Sequence, residues 1–578
     1  MVNLGRSWGC RMCKQRRIKC DENEPACKRC TKSGYICPGY ESEKPLKIRF
    51  KDETALVVHR SGSNPTHVPS PAGLQENFET QALNFFVMNF ATAGRDPVST
   101  RGLWESVVPT INASPANSPV ADAVAAVGGI LFNVWRLYKR GPQARNPAFM
   151  RAIRGLRIRL RDGPIDGPEV LMTILLLQFH ENVAAVFGMR AASKMHYHGA
   201  LALIQSLPIE SFSTVASRGL LLNVLSIVVS LAIRECQPVD PGLIPWFTSL
   251  PYTMPRTPVM KLNWIGISVA NIQHSFQGLL KSHPQCSSER CSHRVDIAMI
   301  YAAILDFQKA SSEWLNNLPE HWLPQTWTPS PEMPKTHIPM YRETCEVYPS
   351  VQVASVFNTY RGFQLIINKI LSIMQTHGWL EPHMGPQGVS ETIQSVVDSM
   401  CYSIPFYLGD RDGTLYITDL TNPRTDIIYP AYYNMKDPPI AKEHILTEEV
   451  HRKHATAYGA WHSMYPLSLL LGLFGNHAGY DCDCLQRAIR PGQLIWIGSQ
   501  LFRTMKMYAL DGGMSVAPDN PEECAKAVRR ALRFVYQECF NQSLGFPDDE
   551  GSLNIPIGGL DSYLKMPELV WGQKVWDQ

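Results

Sequence analysis

The stretch GCRMCKQRRIKCDENEPACKRCTKSGYICPGY, residues 9–40, holds six cysteines: Cys10, Cys13, Cys20, Cys27, Cys30 and Cys37. Their gaps read C-x2-C-x6-C-x6-C-x2-C-x6-C, so the unit C-x2-C-x6-C occurs twice. A doubled unit implies two similar halves related by a pseudo-twofold axis. Within each half the C-x2-C pair lets two thiolates grip one ion from a single turn.

Ligand arithmetic then narrows the chemistry. Zinc prefers four tetrahedral ligands, so two ions need eight ligand positions, and six cysteines supply only six. The shortage is met when two thiolates each bridge both ions, and symmetry nominates one from each half, Cys10 and Cys27. Packing alone cannot hold the segment. About 40 residues whose main apolar side chains are Ile18, Tyr35 and Ile36 form no stable core, whereas structural zinc supplies about 10–16 kcal/mol per site. Folding and metal binding are therefore expected to be one event. A single-zinc finger commonly uses histidine, and no histidine precedes His59.

The charge is divided in the same way. The net charge is +4, yet residues 1–40 carry nine Lys/Arg against Asp21, Glu22 and Glu24, a local balance of +6. The rest of the chain is at −2. Two zinc ions with six thiolates bring −2, which leaves the folded head at about +4 and still suited to polyanions. The basic run KQRRIK between Cys13 and Cys20 contributes Lys14, Arg16, Arg17 and Lys19. The total of fifteen cysteines is odd and no secretory leader is read at the start of the chain, which argues for a reducing compartment rather than a disulfide framework.

The run CRMCKQRRIKCDENEPACKRC with the following cysteine resembles the binuclear zinc cluster of fungal transcription factors over roughly residues 8–38, including RRIKCD and the proline two residues before the fourth cysteine, Pro25. The resemblance implies a short helix plus an extended segment in each half. It implies one Zn2+ on Cys10, Cys13, Cys20 and Cys27, and a second on Cys27, Cys30, Cys37 and Cys10. It further implies a nuclear, sequence-specific regulator of RNA polymerase II genes, with double-stranded DNA as partner. In such proteins the first helix enters the major groove and reads a CGG triplet through two consecutive basic residues, here Arg16 and Arg17. Arg17 is the expected base contact, because arginine pairs with both O6 and N7 of guanine. Lys14, Lys19, Lys28 and Arg29 are expected on phosphates, which position a protein without specifying sequence.

One triplet recurs about once in 64 base pairs, too often to address a genome alone. The segment after the cluster, ESEKPLKIRFKDETALVV, alternates Leu46, Ile48 and Phe50 with charged residues, a period of two rather than a heptad. Dimerisation through the body (homodimer or heterodimer), monomeric binding, and help from a second factor all stay open at this point.

The domain reading is 1–40 as the zinc cluster, 41–75 as linker, and 76–578 as an all-α regulatory body. SGSNPTHVPSPAGLQ (61–75), with Gly, Ser and three prolines, reads as the flexible part of the linker. Beyond it ENFETQALNFFVMNFA, PEVLMTILLLQFHENVAAVFG and AASKMHYHGALALIQSL carry long apolar helical faces. GLLLNVLSIVVSLAI (219–233) is too short to span a bilayer and reads as a buried helix. A Pro- and Trp-rich break lies at 317–341, and a polar loop around 409–445. Scattered stretches (YHGALALI, VFNTYRGFQLII, CYSIPFYLGD, WHSMYPLSLLLG) resemble the fungal-specific transcription factor domain that accompanies such clusters, which implies a regulatory or dimerising body.

Rival chemistry is thin. Cys286, Cys291 and His293 have irregular spacing and offer three ligands. His451 and His454 share a helix face without a carboxylate motif. His180–Glu181, His196 and His198 lie in apolar helices and read as ordinary core or surface histidines. Cys482 and Cys484 lack a redox spacer, and Asp548–Glu550 reads as a solvated loop. No nucleophile elbow, phosphate loop or dinucleotide fingerprint occurs, so no catalytic residue is expected. The other class kept in view is an enzyme or small-molecule-binding body whose zinc head serves protein contacts.

Overall fold

The computed structural model describes residues 9–39, apart from 22 and 24, and most of 78–508; the breaks in the second range are 92–102, 116–117, 137–145, 163–164, 188–192, 194, 254–255, 283–293, 330–337, 381–387, 423–425, 438–445 and 475–487. The chain divides into two units, Met1–Gln75 and Glu76–Gln578. The expected linker, the cysteines at 286, 291, 482 and 484, and the acidic run at 548–550 lie outside the described residues.

The larger unit is mostly helical; most of its buried apolar side chains form one core reaching from Ala82 to Met507, and Ile427, Tyr429 and Ala455 form a small separate cluster. Neighbouring helices pack as pairs: Phe78–Asn89 on Pro119–Arg136, Val351–Thr376 on Val389–Leu408, and Ala460–Phe474 on Gln493–Met507. Their ends are set by local chemistry. Thr214 and Ser217 exchange hydrogen bonds in a capping box at the start of Val215–Glu235, and Cys236 ends that helix at φ +49°. Ser350 and Thr447 cap later helices through Val353 and Val450 N–H. Each satisfies a donor that would otherwise be orphaned in the first turn.

By length and composition Val215–Glu235 is, among the described residues, the one helix apolar enough to cross a membrane. It packs on Leu103–Ala113 and Pro258–Ser282, and Leu220, Leu221, Leu225 and Val229 are buried. That is the position of a core helix. Helix-by-helix periodicity misses a strand pair: β1, Gln325–Trp327, inside the expected Pro- and Trp-rich break, pairs antiparallel with β2, Cys345–Val347, just beyond it. Three-residue strands carry too little alternation to be read from sequence.

β2 is held by a buried ion pair. Arg361 Nη2 lies 2.7 Å from Glu346 Oε2, and its Nη1 donates to Tyr348 Oη at 2.6 Å, while Tyr348 donates to Glu346. The helix Glu448–His454 runs into a π-helical turn, Ala455–Gly459. There Gly459 admits the Tyr407 carbonyl so closely that a Cβ would lie 2.0 Å from its oxygen. No other residue fits at that crossing.

His451 and His454 are both buried, not ligands displayed on a surface. Burial, and then His454 and Arg452 nearby, push His451 down to about 3. Phe406, Tyr429 and Tyr433 surround its ring. His180 is likewise buried and stacks on Phe149 at 4.3 Å. His196 is partly buried and burial lowers its pKa, whereas His198 is exposed.

Candidate metal centre and nucleic-acid interface

In the smaller unit the doubled C-x2-C-x6-C becomes a doubled local structure. Helix α1 is Arg11–Gln15 and helix α2 is Lys28–Lys32. Each is capped by the first cysteine of its half: Cys13 N–H donates to Cys10 Sγ at 3.4 Å, and Cys30 N–H to Cys27 Sγ at 3.3 Å. Each half then closes with the same backbone bond, Ile18 N–H to Cys13 O and Tyr35 N–H to Cys30 O. The residue before the closing one is left-handed in both halves, Arg17 at φ +51° and Gly34 at φ +71°.

The six sulfurs form two groups of four, Cys10, Cys13, Cys20, Cys27 and Cys10, Cys27, Cys30, Cys37, with the ligand atoms in each group within 4.8 Å of one another. Cys10 and Cys27 belong to both. Their sulfurs are 3.7 Å apart, Cys10–Cys30 is 3.6 Å and Cys13–Cys27 is 3.7 Å. A tetrahedral ion with Zn–S of about 2.3 Å sets its sulfurs about 3.8 Å apart, so these edges fit zinc. Desolvation raises the Cys10 and Cys27 thiols and carries Cys13 to about 12. Thiolates in such surroundings need a cation. Cys37 is shifted the other way, because the Cys27 and then the Gly39 N–H groups point at its sulfur. Among the described residues no other three Cys, His, Asp or Glu side chains lie close enough to hold an ion. The chemistry is that of two structural metal ions in a closed, all-sulfur site, which leaves no ligand position for a reacting water.

Two further contacts join the halves, and neither was expected from sequence. The Asp21 carboxylate accepts Lys28 N–H at 3.0 Å and Arg29 N–H at 3.2 Å, at the start of α2. Desolvation opposes ionisation of Asp21, but the hydrogen bonds from Asn23, Arg29 and Lys28 outweigh it and lower its pKa. Arg16 lays its guanidinium over the Tyr35 ring, 4.4 Å from the centroid. The position of Asp21 directly after Cys20 gives no cue to the cap it makes seven residues later. Superposing the two halves by their cysteines would have paired Arg17 with Gly34 and exposed the unusual backbone there.

The expected DNA-contacting residues divide by exposure. Lys14, Arg17, Lys19, Lys28 and Arg29 are exposed, whereas Arg16 is half-buried against Tyr35.

Comparison with known proteins agrees with this geometry. Residues 8–47 match the model of the fungal Zn(2)-Cys(6) binuclear cluster domain. The chain thus carries that domain at its N-terminal end, followed by a large, mostly helical unit. Similar proteins include the transcriptional regulatory protein moc3 of Schizosaccharomyces pombe, 29% identical over 152 residues, which is 21% of this chain and 30% of the relative. The phomenoic acid biosynthesis cluster-specific transcriptional regulator of Leptosphaeria maculans is 28% identical over 12% of this chain and 13% of its own length. The transcriptional regulatory protein pro1 of Neurospora crassa is 32% identical over 13% and 12% respectively. The similarity thus spans less than a third of each relative. All three carry the names of transcriptional regulators. No solved structure matches the chain.

Proposed function

We propose that this protein is a sequence-specific DNA-binding regulator of transcription that works in the nucleus. The observation that carries the reading is the exposed basic set Lys14, Arg17, Lys19, Lys28 and Arg29, mounted on a two-helix module whose six sulfurs converge in two metal-sized groups. In this reading Cys10 and Cys27 bridge two zinc ions, and Cys13, Cys20, Cys30 and Cys37 complete the tetrahedra. Zinc contributes fold only: it holds α1 and α2 rigid so that the charges are presented as a unit. Arg17 reads a CGG-type triplet in the major groove, and the surrounding lysines and Arg29 neutralise phosphates. The names of the similar proteins support the regulatory role, and nothing among the described residues of the helical unit favours the enzymatic alternative.

In this reading the helical unit is the regulatory part, and because no heptad follows the cluster, any pairing of two heads would fall to it rather than to a coiled coil. The deciding experiment is selection of bound sequences from a random duplex library by the zinc-loaded full-length protein. A recovered CGG-type triplet, lost on chelation, supports the reading. Recovery of no sequence, or binding that survives chelation, overturns it. The spacing and symmetry of recovered triplets report whether one head or two engage DNA.

A further inference from the structure

We propose that Arg16 is a positioning residue, which clasps the first half of the metal cluster to the second through Tyr35 and leaves the adjacent Arg17 as the outward-facing member of the arginine pair. The inference deepens the DNA-binding reading above and rests on it for its second arm.

Three observations converge on this. The Arg16 guanidinium carbon sits 4.4 Å from the centre of the Tyr35 ring, at the distance of a cation–π contact. Its Nη1 is shielded from solvent and has no hydrogen-bond partner among the described residues, so the aromatic face is what this end of the guanidinium meets. An arginine that served only to reach phosphates would keep that nitrogen in water. Arg16 and Tyr35 also come from different halves, Arg16 just after α1 and Tyr35 just after the left-handed Gly34. With the sulfurs and the Asp21 cap, this is a side-chain contact that crosses the pseudo-twofold. Arg17 shows the opposite environment, with an exposed side chain on a left-handed backbone one bond away. With Arg16 held inward, the direction in which the chain delivers Arg17 is fixed by the second half of the cluster.

The test uses zinc-loaded full-length protein carrying Arg16→Ala, Arg16→Lys, Tyr35→Ala, Tyr35→Phe, the Arg16→Ala/Tyr35→Ala pair and Arg17→Ala. The first arm needs no DNA and measures the concentration of a chromogenic chelator that removes half the zinc. Arg16→Ala and Tyr35→Ala should each lower it about two- to fivefold, the worth of an exposed cation–π contact. The double variant should be no worse than either single one, and the conservative Tyr35→Phe and Arg16→Lys should restore most of the loss. Independent, additive losses would overturn the clasp.

The second arm measures affinity for a selected duplex and a scrambled one across salt concentrations. Arg16→Ala and Tyr35→Ala should narrow the ratio between the two duplexes to the same partial extent, with the salt slope unchanged, whereas Arg17→Ala should collapse it. If Arg16→Ala narrows that ratio while Tyr35→Ala leaves it intact, or if Arg16→Ala lowers the salt slope by about one unit, as loss of a phosphate contact does, Arg16 touches DNA and the proposal is wrong. If the unmodified protein does not distinguish the duplexes, the DNA-reading function fails, and the chelator arm still decides the clasp.

Discussion

Arg17 and Gly34 occupy the same backbone position in the two halves of the cysteine module: each lies four residues after the second cysteine of its C-x2-C pair, each is left-handed, and each precedes the residue that closes the turn. Glycine adopts that conformation without penalty, whereas an L-residue with a side chain carries about 1–2 kcal/mol of strain. A strained arginine where the other half uses glycine is what a functional side chain looks like. Arg17→Gly should therefore hold zinc about fivefold or more tightly against a chelator while losing sequence preference on DNA. Arg17→Ala should lose the same preference without the gain. A fall in zinc retention for Arg17→Gly would refute the strain argument.

The two groups of four sulfurs share Cys10 and Cys27. Replacing a shared ligand removes one sulfur from both ions, and replacing Cys37 removes one from a single ion. Mass spectrometry under native conditions should find Cys10→Ser and Cys27→Ser largely metal-free. Cys37→Ser should retain one ion. Equal zinc loss in all three variants would count against bridging.

Asp21 links the halves through backbone rather than metal, since Lys28 and Arg29 donate to it. Asp21→Ala leaves two N–H groups at the start of α2 without that acceptor. The zinc-loaded variant should yield its metal at lower chelator concentrations than the unmodified protein, and Asp21→Asn, which keeps an acceptor oxygen, should lie between them.

In the helical unit the Arg361–Glu346 pair ties the long helix Val351–Thr376 to β2. Breaking a buried pair leaves its partner charged and unpaired, at a cost of about 3–5 kcal/mol. Arg361→Met should lower the unfolding midpoint of the body in urea, followed by tryptophan fluorescence. Joint replacement of Arg361 by Met and Glu346 by Leu should recover part of that loss. If the double variant is as unstable as the single one, the unpaired carboxylate is not the cause.

His451 gives the body a pH dependence with a definite sign. Burial holds its pKa at about 3, against about 6.5 in an unfolded chain. The unfolded state therefore takes up a proton first, and stability should fall as pH drops from about 6.5 toward 3. The slope from this one residue is about 1.4 kcal/mol per pH unit. His454 and Arg452 lie on the same side of the balance, for both disfavour a charged His451. Denaturation series between pH 7 and 4 should show a shallower decline for His451→Phe than for the unmodified protein. Parallel declines would show that other groups govern the acid sensitivity.

The metal-binding character of the head and the place of its charge were legible because both are local. A C-x2-C-x6-C unit puts its sulfurs within one turn and one short extension of each other, and the basic residues lie between those same cysteines. The main helices were legible for a similar reason, since an apolar face recurs within a few residues: Gly167–Phe187 matches the stretch read from 168 to 188 to within one residue, and Met195–Ser206 falls inside its own. The short strands were not, and neither was the fate of His451 or Arg361, whose side chains are chemically suited to a surface.

What the sequence determined by itself, then, is the ligand set, the repeat and the segregation of positive charge, because covalent spacing limits what those groups can do. The tertiary structure decided which of two adjacent arginines is exposed, which carboxylate caps α2, and which charged residues enter the core. Those outcomes depend on partners that the chain supplies from elsewhere: Tyr35 for Arg16, the α2 amides for Asp21, and Glu346 for Arg361. Solvation and pairing are properties of the folded surroundings, and two arginines with the same formula take opposite roles according to what lies beside them.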